Sequence, residues 1–453
     1  MSSGGNPRPR GPRDPLLRAV YAVSLGCPKN RVDTEVMLGD LLSHGYALTM
    51  RPENADVVLV NTCGFLHDAR NESIEVLREM SRRMRPGARL VAAGCMTEVF
   101  RDLLAEQVPE LDLAIGVKDL LRLRGFLQGD DTGPREPPSA ENPRLLTSDP
   151  LTAYLKIADG CSRRCAFCII PRLRGRQRSR AVDDILAEAR ILQARGVREL
   201  NLVAQDLTHY GRDLRDRPTL ATLLRRLSDE APRVRWIRLL YLYPRDLDDG
   251  LLDGIATSPN VLRYLDLPVQ HADDRVLAAM RRGTTRRALE RLVARIRSRI
   301  PGVVLRTTYL VGFPGETDRA FENLLAFARQ MRFEMAGVFR FSAEPGSRAA
   351  ALPDQVPAAV ARERERRLVA VLGEIAHDLR QRLVGEVHEA LVLRESAAQG
   401  APVARARLWF QAPEVDGQTR VRGAGLRAGD FVQVRITGVH GNDFEGVAVG
   451  RRR

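Results

Sequence analysis

Three of the six cysteines in this sequence are bunched within eight residues, and this bunching is the first feature that could support chemistry. The segment DGCSRRCAFCIIP, residues 159–171, contains Cys161, Cys165 and Cys168 at the spacing C-x3-C-x2-C, and we call these three the loop triad. Three thiolates fall one ligand short of a closed tetrahedral metal site, and they leave one iron of a cubane iron–sulfur cluster unclaimed. The spacing therefore indicates a metal centre with one position open for a ligand from outside the chain.

Other uses of the loop triad fit the sequence less well. A structural zinc site would take a fourth Cys or His, and the seven histidines offer no matching pair nearby. A redox dithiol would use Cys165 and Cys168 and would leave Cys161 without a role. Disulfides are disfavoured because a chain of 453 residues can bury substantial cores without covalent staples. A cubane iron–sulfur cluster is the interpretation that uses all three thiols.

The other three cysteines, Cys27, Cys63 and Cys95, are far apart in sequence, and we call them the N-terminal triad. Each one ends a short apolar run, and the runs AVYAVSLGC, ADVVLVNTC and ARLVAAGC are typical of buried parallel strands. Because the carboxyl ends of parallel strands share one edge of an open sheet, we expect the N-terminal triad to converge in space. The alternative is that each cysteine is a small buried apolar residue.

These strands, with helical patterns between them, predict an N-terminal open parallel α/β sheet domain over residues 19–128. A disordered tail is predicted before it, over residues 1–18. Residues 129–150 are rich in Pro, Asp and Ser and lack periodicity, which predicts an interdomain linker.

A second series of strands and helices predicts a partial (β/α)6 barrel over residues 151–385. Its six strand-like runs fall short of the eight strands that close a barrel, and a long charged helix leads out of it to Gly385. The loop triad directly follows the first of these runs. Because barrel enzymes carry their chemistry at the carboxyl ends of the strands, the loop triad lies at the predicted active rim.

Residues 386–453 alternate apolar and polar residues between turn signals, which predicts a small antiparallel β-barrel similar to the oligonucleotide-binding class. The chain as a whole is therefore predicted to be an α/β protein with three folded domains. No run approaches the ~18 apolar residues of a membrane span, and the first residues lack the apolar core of a secretion signal. We expect a cytoplasmic protein without a membrane partner.

The formal net charge of +14 is carried almost wholly by arginine, since the lysines are Lys29, Lys118 and Lys156. A solvated arginine surface is one interpretation, and attraction for RNA phosphates or carboxylates is another. Lys29 and Lys156 lie close to cysteines, where arginine would be a poor replacement. Alternate residues after the loop triad could form a cationic rim: Arg172, Arg174, Arg176, Arg178 and Arg180.

The residues CSRRCAFC match the signature of the radical S-adenosylmethionine (SAM) superfamily position for position, and the chain resembles that superfamily. The resemblance implies a 4Fe-4S cluster on the loop triad, with the unclaimed iron chelated by the amino and carboxylate groups of SAM. An electron from the cluster then cleaves SAM to a 5′-deoxyadenosyl radical. Such a radical removes a hydrogen atom from a carbon that has no acidic proton for a general base to take.

The same resemblance implies residues that bind SAM. Phe167 matches the aromatic position that packs near the adenine, although a plain core aromatic would also fit. The segment VGFPGETD resembles the adenine segment of the superfamily, in which Gly312 and Gly315 would let the cofactor approach the backbone. Further candidates for contact with SAM or substrate lie near other strand ends: Arg306, Gln205 and Gln270.

Two cysteine triads, a radical SAM barrel and a terminal TRAM-like β-barrel together resemble the methylthiotransferase family over nearly all of residues 19–450. The resemblance implies a second 4Fe-4S cluster on the N-terminal triad, whose open iron carries the sulfur to be inserted, and a second SAM that supplies the methyl group. SLGCPKNRVDTE and QDLTHYG look like the RimO type, which modifies an aspartate β-carbon in the twelfth small-subunit ribosomal protein. The implied partners are that protein or the ribosome, and an external electron donor.

The transfer-RNA branch of the family, which modifies a purine, is the alternative. Pro28 and Lys29 stand where that branch usually has a Gln-Met or similar pair, which disfavours it. A set of arginines predicted to be exposed, near two aromatic residues of the C-terminal barrel, would nevertheless suit RNA contact: Arg405, Arg407, Arg420 and Arg422, near Trp409 and Phe410. A non-catalytic iron–sulfur or RNA-binding protein is the third hypothesis, and it predicts no cleavage of SAM.

Overall fold

The computed structural model describes residues 18–130, 138–395 and 403–451, which divide into two compact units with the boundary between Leu145 and Leu146. The predicted disordered tail therefore lies outside the described residues except for Arg18. Within the described ranges, no helix is both long enough and apolar enough to cross a membrane.

The first unit contains the predicted open parallel sheet, with the strand order β2-β1-β3-β4-β5. The edge strand β2 was not predicted, because three residues carry too little periodicity to indicate a strand. The strands are β1 (Arg18–Ser24), β2 (Tyr46–Leu48), β3 (Val57–Thr62), β4 (Arg89–Gly94) and β5 (Leu113–Ile115).

Helices cover both faces of this sheet, which is why its central strands are apolar throughout. All six residues of β3 are buried, and alternate residues join two different cores, with Leu59 in one and Val58 in the other. The helices of the unit are α1 (Pro28–Ser43), α2 (His67–Arg83), α3 (Cys95–Val99), α4 (Arg101–Gln107) and α5 (Leu123–Gln128), with short 3-10 turns at Pro52–Asn54 and Leu120–Arg122.

The last residues of the first unit, within the predicted linker, pack on helix α1. The buried Arg144 donates to Glu35 Oε2 at 2.6 Å, and the Leu145 backbone N–H donates to the Glu35 carbonyl at 2.9 Å. A buried ion pair with additional hydrogen bonds holds this segment in place. Residues 131–137 of the predicted linker lie outside the described residues.

The second unit contains six parallel strands in the order β13-β12-β11-β10-β9-β6, as predicted for a partial barrel. A small antiparallel pair, β7 with β8, flanks the loop triad. The strands are β6 (Thr152–Lys156), β7 (Ala158–Asp159), β8 (Arg178–Ser179), β9 (Glu199–Val203), β10 (Trp236–Leu239), β11 (Val261–Asp266), β12 (Val304–Val311) and β13 (Met335–Arg340).

Helices pack along the outer face of this curved sheet and share one large apolar core with it. The predicted long helix is α13, which ends before Gly385 as expected. The helices are α6 (Ile170–Leu173), α7 (Val182–Ala194), α8 (Leu220–Glu230), α9 (Asp249–Thr257), α10 (Asp274–Ala279), α11 (Arg286–Arg299), α12 (Asp318–Met331) and α13 (Ala358–Gln381), with 3-10 turns at Leu207–His209, Pro244–Asp246 and Ala349–Ala351.

The C-terminal strands close into the predicted five-stranded β-barrel, with the order β14-β15-β16-β18-β17. The pairing is antiparallel except between β16 and β18, which run parallel and complete the ring. The strands are β14 (Val387–Arg394), β15 (Val403–Leu408), β16 (Thr419–Arg422), β17 (Phe431–His440) and β18 (Asp443–Arg451).

Buried ionic contacts join this barrel to the amino-terminal ends of the parallel strands. Glu199 accepts from Arg238 Nε at 2.9 Å and from Arg407 of the C-terminal barrel, and all three side chains are buried. Arg238 Nη2 also donates to the carbonyl of Trp409 at 2.8 Å. The expectation that Arg407 is exposed was therefore wrong, because its guanidinium completes a buried network, and Phe410 is buried as well.

We expect Arg407→Met to lower the free energy of unfolding of the second unit by about 3–5 kcal/mol, because it removes one partner of a buried ionic network and leaves Glu199 undercompensated. Chemical denaturation followed by circular dichroism measures the change. The matched control is Arg405→Met on the same strand, where the side chain is exposed, and its effect should stay within about 0.5 kcal/mol. Equal stability of the two variants would contradict the structural role of Arg407.

Candidate functional site

The loop triad follows strand β6 directly. The carboxylate of Asp159, two residues before Cys161, accepts hydrogen bonds from three side chains. Asp159 accepts from Lys156 Nζ at 3.1 Å, from Arg174 Nη1 at 2.9 Å and from Gln205 Nε2 at 3.2 Å. Burial raises the pKa of Asp159, but Arg174 and Lys156 outweigh burial and hold this pKa well below its ordinary value. An ionised carboxylate therefore ties together the strand end and both arms of the cysteine loop.

The thiols of the loop triad are close enough to interact electrostatically, and Cys161 is buried whereas Cys165 and Cys168 are half-buried. Burial raises the pKa of Cys161 to about 11 and that of Cys168 to about 12, and the neighbouring thiols add to both shifts. Without metal these thiols are protonated at neutral pH, so that metal binding would release protons. Within the described ranges, no three His, Cys, Asp or Glu side chains are arranged to hold a single metal ion. The three ligands of a cubane bind different irons, so this donor set fits a cluster better than zinc.

The predicted adenine side of the site forms one apolar cluster beside the loop triad. Phe167 packs against a core that contains Leu310 and Phe313, at the carboxyl end of strand β12. Phe313 contacts Phe341 edge-on, with ring centroids 5.4 Å apart. Tertiary packing thus brings Phe167 and the VGFPGETD segment together, although more than 140 residues separate them.

The two glycines of that segment have different reasons to be glycine. Gly312 has a φ of 76°, and a Cβ added there would lie 2.7 Å from the Cβ of Ala361, so packing against helix α13 already requires glycine. Gly315 has a φ of 79° and open space where a Cβ would be, which leaves room for a ligand to approach its backbone. Glu316 accepts from the Gly312 backbone N–H and is itself held by Arg364 at 3.3 Å.

Arg306, predicted to contact SAM or substrate, forms an ion pair with the C-terminal barrel. It lies in the first half of strand β12 and pairs with Asp416, on the side of the sheet that the C-terminal barrel covers. Tyr264 donates to the same carboxylate at 2.5 Å. The guanidinium is thereby committed to the contact with the C-terminal barrel, and we leave Arg306 out of the proposed cofactor site. Gln270 has a φ of 71° and continues the pairing with β12 through its backbone.

Two polar side chains at the partial barrel, Asn201 and Gln205, have buried atoms without a hydrogen-bond partner in the described part of the chain. Asn201 is fully buried on strand β9, and within the described part of the chain neither of its side-chain polar atoms has a hydrogen-bond partner. Oε1 of Gln205 also has no hydrogen-bond partner in this part of the chain, whereas its Nε2 donates to Asp159. Buried polar groups are normally satisfied, so these atoms indicate a polar ligand. SAM, with its amino, carboxylate and ribose groups, fits this requirement.

The cationic rim expected after the loop triad is only partly exposed. Arg174 is buried against Asp159, and Arg180 donates to Asp184 at 2.7 Å and to Glu188 at 2.5 Å. The regular spacing of these arginines in the sequence therefore did not indicate which of them face solvent and which form ion pairs. The exposed members are Arg172, Arg176 and Arg178.

In the first unit, the N-terminal triad converges as predicted. A Cβ added at Gly26 would lie 2.8 Å from the Cβ of Cys63, so the turn that presents Cys27 packs directly on Cys63. Cys27 precedes helix α1, which has Pro28 at its first position, and Cys95 is the first residue of helix α3. The strand ends thus place the three thiols at one edge of the sheet.

Asn30 joins the three strand ends, and sequence reasoning missed it. Its Nδ2 donates to the carbonyls of Leu25 at 2.9 Å and Thr62 at 3.0 Å, and its Oδ1 accepts from the Cys95 thiol at 3.5 Å. The Cys27 sulfur lies 4.0 Å from the same oxygen. The available signal was the CPKN motif, which contains a polar residue on the first turn of a helix. This set of three thiols around one buried amide fits a second cluster.

All six cysteines lie in the described part of the chain, and none of them forms a disulfide. Each unit therefore contains one triad that could bind a cluster through its thiols. The two lysines singled out by their rarity are both buried, at 7% exposure for Lys29 and 6% for Lys156. Of these two, Lys156 has a defined structural contact, its bond to Asp159.

Comparison with known proteins gives three matches along the chain. Residues 19–116 match the Uncharacterized protein family UPF0004, residues 155–328 match the radical SAM superfamily, and residues 384–449 match the TRAM domain. The first match contains the N-terminal triad and the second contains the loop triad.

Full-length relatives and a solved structure agree with these matches. The ribosomal protein uS12 methylthiotransferase RimO of Anaeromyxobacter sp. (strain K) is 46% identical over 444 residues, which cover 96% of this chain and 94% of that protein. The protein of the same name from Geobacter sulfurreducens is 41% identical over 429 residues, 92% of this chain and 96% of that protein. The radical SAM methyltransferase TsrM from Kitasatospora setae shares the fold, with a TM-score of 0.55 at 16% identity over 85% of this chain and 79% of that one.

Proposed function

The chain belongs to the RimO family of ribosomal protein uS12 methylthiotransferases, and on this premise we propose that it adds a methylthio group to the β-carbon of an aspartate in uS12. It is a radical SAM methylthiotransferase. The observation that carries the proposal is the pair of cysteine triads, one at the strand ends of each unit. The two triads provide separate places for the activation of a carbon and for the supply of sulfur. The transfer-RNA alternative is not favoured.

The enzyme uses SAM and two 4Fe-4S clusters. We propose that the loop triad holds the cluster that works with SAM and that the N-terminal triad holds the second cluster. When bound, the first cluster together with SAM would provide the radical chemistry that removes a hydrogen atom from an unactivated carbon. The second cluster would provide the sulfur.

Residues of the chain hold the loop triad in place and are proposed to contact SAM. Asp159 fixes the loop triad to the barrel rim through Lys156 and Arg174. We propose Phe167, Gly315 and Asn201 for contact with SAM. Support comes from the apolar cluster around Phe167, the open space at Gly315 and the unsatisfied polar atoms of Asn201. Gly312 shapes the same segment through its packing against helix α13.

A side-by-side assay tests the substrate. The reconstituted, reduced enzyme is incubated with SAM and a sulfur source, together with uS12 in one reaction and transfer RNA in another. We expect mass spectrometry to find a methylthio group on an aspartate of uS12 and none on transfer RNA, because the relatives that match nearly the whole chain act on uS12 by name.

The assay includes a run with uS12 in which the target aspartate is replaced by asparagine, which should stay unmodified. Methylthioadenosine in transfer RNA, with uS12 unchanged under matched conditions, would move the assignment to the transfer-RNA branch. Modification of neither substrate, with SAM still cleaved, would indicate another acceptor.

The exposed arginines of the C-terminal barrel support a further proposal, that the enzyme contacts RNA phosphates while it modifies uS12. Arg394, Arg405 and Arg420 lie directly opposite one another across strands β14, β15 and β16. Like charges in cross-strand register repel, so an anionic partner would stabilise this face. Glu445 neutralises one end of the row through Arg420.

The remaining partners follow from the reaction. Radical generation consumes an electron, so we propose an external electron donor. Because uS12 is a ribosomal protein, we propose that the enzyme works in the cytoplasm, on uS12 alone or in the ribosome.

A further inference from the structure

A buried arginine lies against the loop triad without any acidic partner. Arg282 is 5% exposed and follows helix α10, and its Nη1 donates to the Sγ of Cys165 at 3.5 Å. Within the ranges that the structure describes, no carboxylate forms an ion pair with this guanidinium, and its Nε has no hydrogen-bond partner. A buried charge normally needs a counter-charge. The sulfur that this guanidinium contacts, that of Cys165, would carry negative charge as a ligand of a cluster.

The neighbouring Arg163 shows the usual arrangement for comparison. Both guanidinium groups lie against the ring of Tyr243, at 4.1 Å for Arg163 and 4.2 Å for Arg282. Arg163 pairs with Asp206 at 2.6 Å and also with Asp246. Its charge is therefore neutralised by two carboxylates of the protein, whereas the charge of Arg282 is not.

The position of Arg282 is fixed by contacts that do not involve the cysteines. Its Nη2 donates to the carbonyl of Pro268 at 2.5 Å, and the Tyr243 hydroxyl donates to the Arg282 carbonyl at 2.9 Å. The guanidinium thus faces Cys165 as part of the folded scaffold. The position of this cation therefore does not depend on its contact with Cys165.

We infer that Arg282 is the built-in counter-ion of the loop-triad cluster and that it raises the reduction potential of that cluster. The inference rests on the proposed function in one respect, which is that the loop triad holds an iron–sulfur cluster. Reduction adds one negative charge, and a nearby cation stabilises the reduced form more than the oxidised form. Net charge and hydrogen bonds to the sulfurs are the usual determinants of such potentials.

Three variants of the full-length, anaerobically reconstituted holoenzyme test the inference. Arg282→Met removes the charge and keeps an unbranched side chain that can pack on Tyr243. Arg282→Lys keeps the charge. Arg281→Met removes the same charge from the adjacent residue, which is exposed to water and should act weakly. The readout is a redox titration followed by electron paramagnetic resonance, in which the signal that SAM perturbs belongs to the loop-triad cluster.

For Arg282→Met we expect the ratio of reduced to oxidised cluster at a fixed potential to fall about tenfold, which for one electron is a midpoint lower by about 59 mV. Arg282→Lys should recover most of this loss, and Arg281→Met should titrate as the unaltered enzyme does. Loss of the cluster in Arg282→Met but not in Arg282→Lys would also support the need for charge.

An unchanged midpoint in Arg282→Met would overturn the inference, as would an equal fall in Arg281→Met. Loss of the cluster in both Arg282 variants would show that the cluster depends on the shape of this side chain and not on its charge, which would also overturn the inference. Absence of any SAM-sensitive signal in the unaltered enzyme would overturn the proposed function itself, and the inference with it. The two failures are therefore distinguishable.

Discussion

Replacing all three cysteines of the loop triad by alanine should reduce the release of 5′-deoxyadenosine from SAM to the level of enzyme-free controls. The physical reason is that each thiol binds a different iron of the cubane, and no other thiol of the second unit can replace them. Iron should remain on the N-terminal triad, at roughly half of the original content if two 4Fe-4S clusters are present. Liquid chromatography of the reaction products and iron analysis measure both outcomes.

The matched control is Arg164→Ala, which alters an exposed residue of the same loop and should leave SAM cleavage unchanged. Circular dichroism of the triple variant checks that the fold is intact. Continued release of 5′-deoxyadenosine would show that the loop triad is not the site of SAM cleavage. Complete loss of iron would show that the N-terminal triad does not bind a cluster independently.

Replacing the three cysteines of the N-terminal triad by alanine should preserve SAM cleavage and abolish methylthiolation. We expect this variant to cleave SAM at a rate within about twofold of the unaltered enzyme, because the loop triad lies in a separate compact unit. No methylthio group should reach uS12, because the centre proposed to supply sulfur is missing. Product analysis by mass spectrometry would detect unmodified uS12 together with 5′-deoxyadenosine.

The retained SAM cleavage is the internal control for folding of the second unit in this variant. A second control is Glu72→Ala, at an exposed position of helix α2, which should leave both SAM cleavage and methylthiolation unchanged. Normal methylthiolation by the triple variant would remove the N-terminal triad from the reaction. Loss of SAM cleavage would mean that the two centres are coupled more tightly than their separate units suggest.

Local sequence patterns were enough to predict the parallel strands and the convergence of the N-terminal triad, whereas cluster binding by the six cysteines stays a prediction. Continuous apolar runs indicate strands buried on both faces, as in β3 and β4. Once parallel strands are assigned, the shared edge of their carboxyl ends follows from topology and needs no knowledge of side-chain packing. The signature around Cys161 likewise depends on spacing within one loop.

The roles of individual arginines were decided by tertiary structure. Arg407 and Arg306 were predicted to face ligands, and both pair with carboxylates distant in sequence, Glu199 and Asp416. Arg282 was not singled out at all, although it contacts a cysteine 117 residues away. An arginine has the same local pattern whether it faces water, a carboxylate or a thiolate. Its partner is chosen by folding contacts between distant segments, which a linear pattern does not contain.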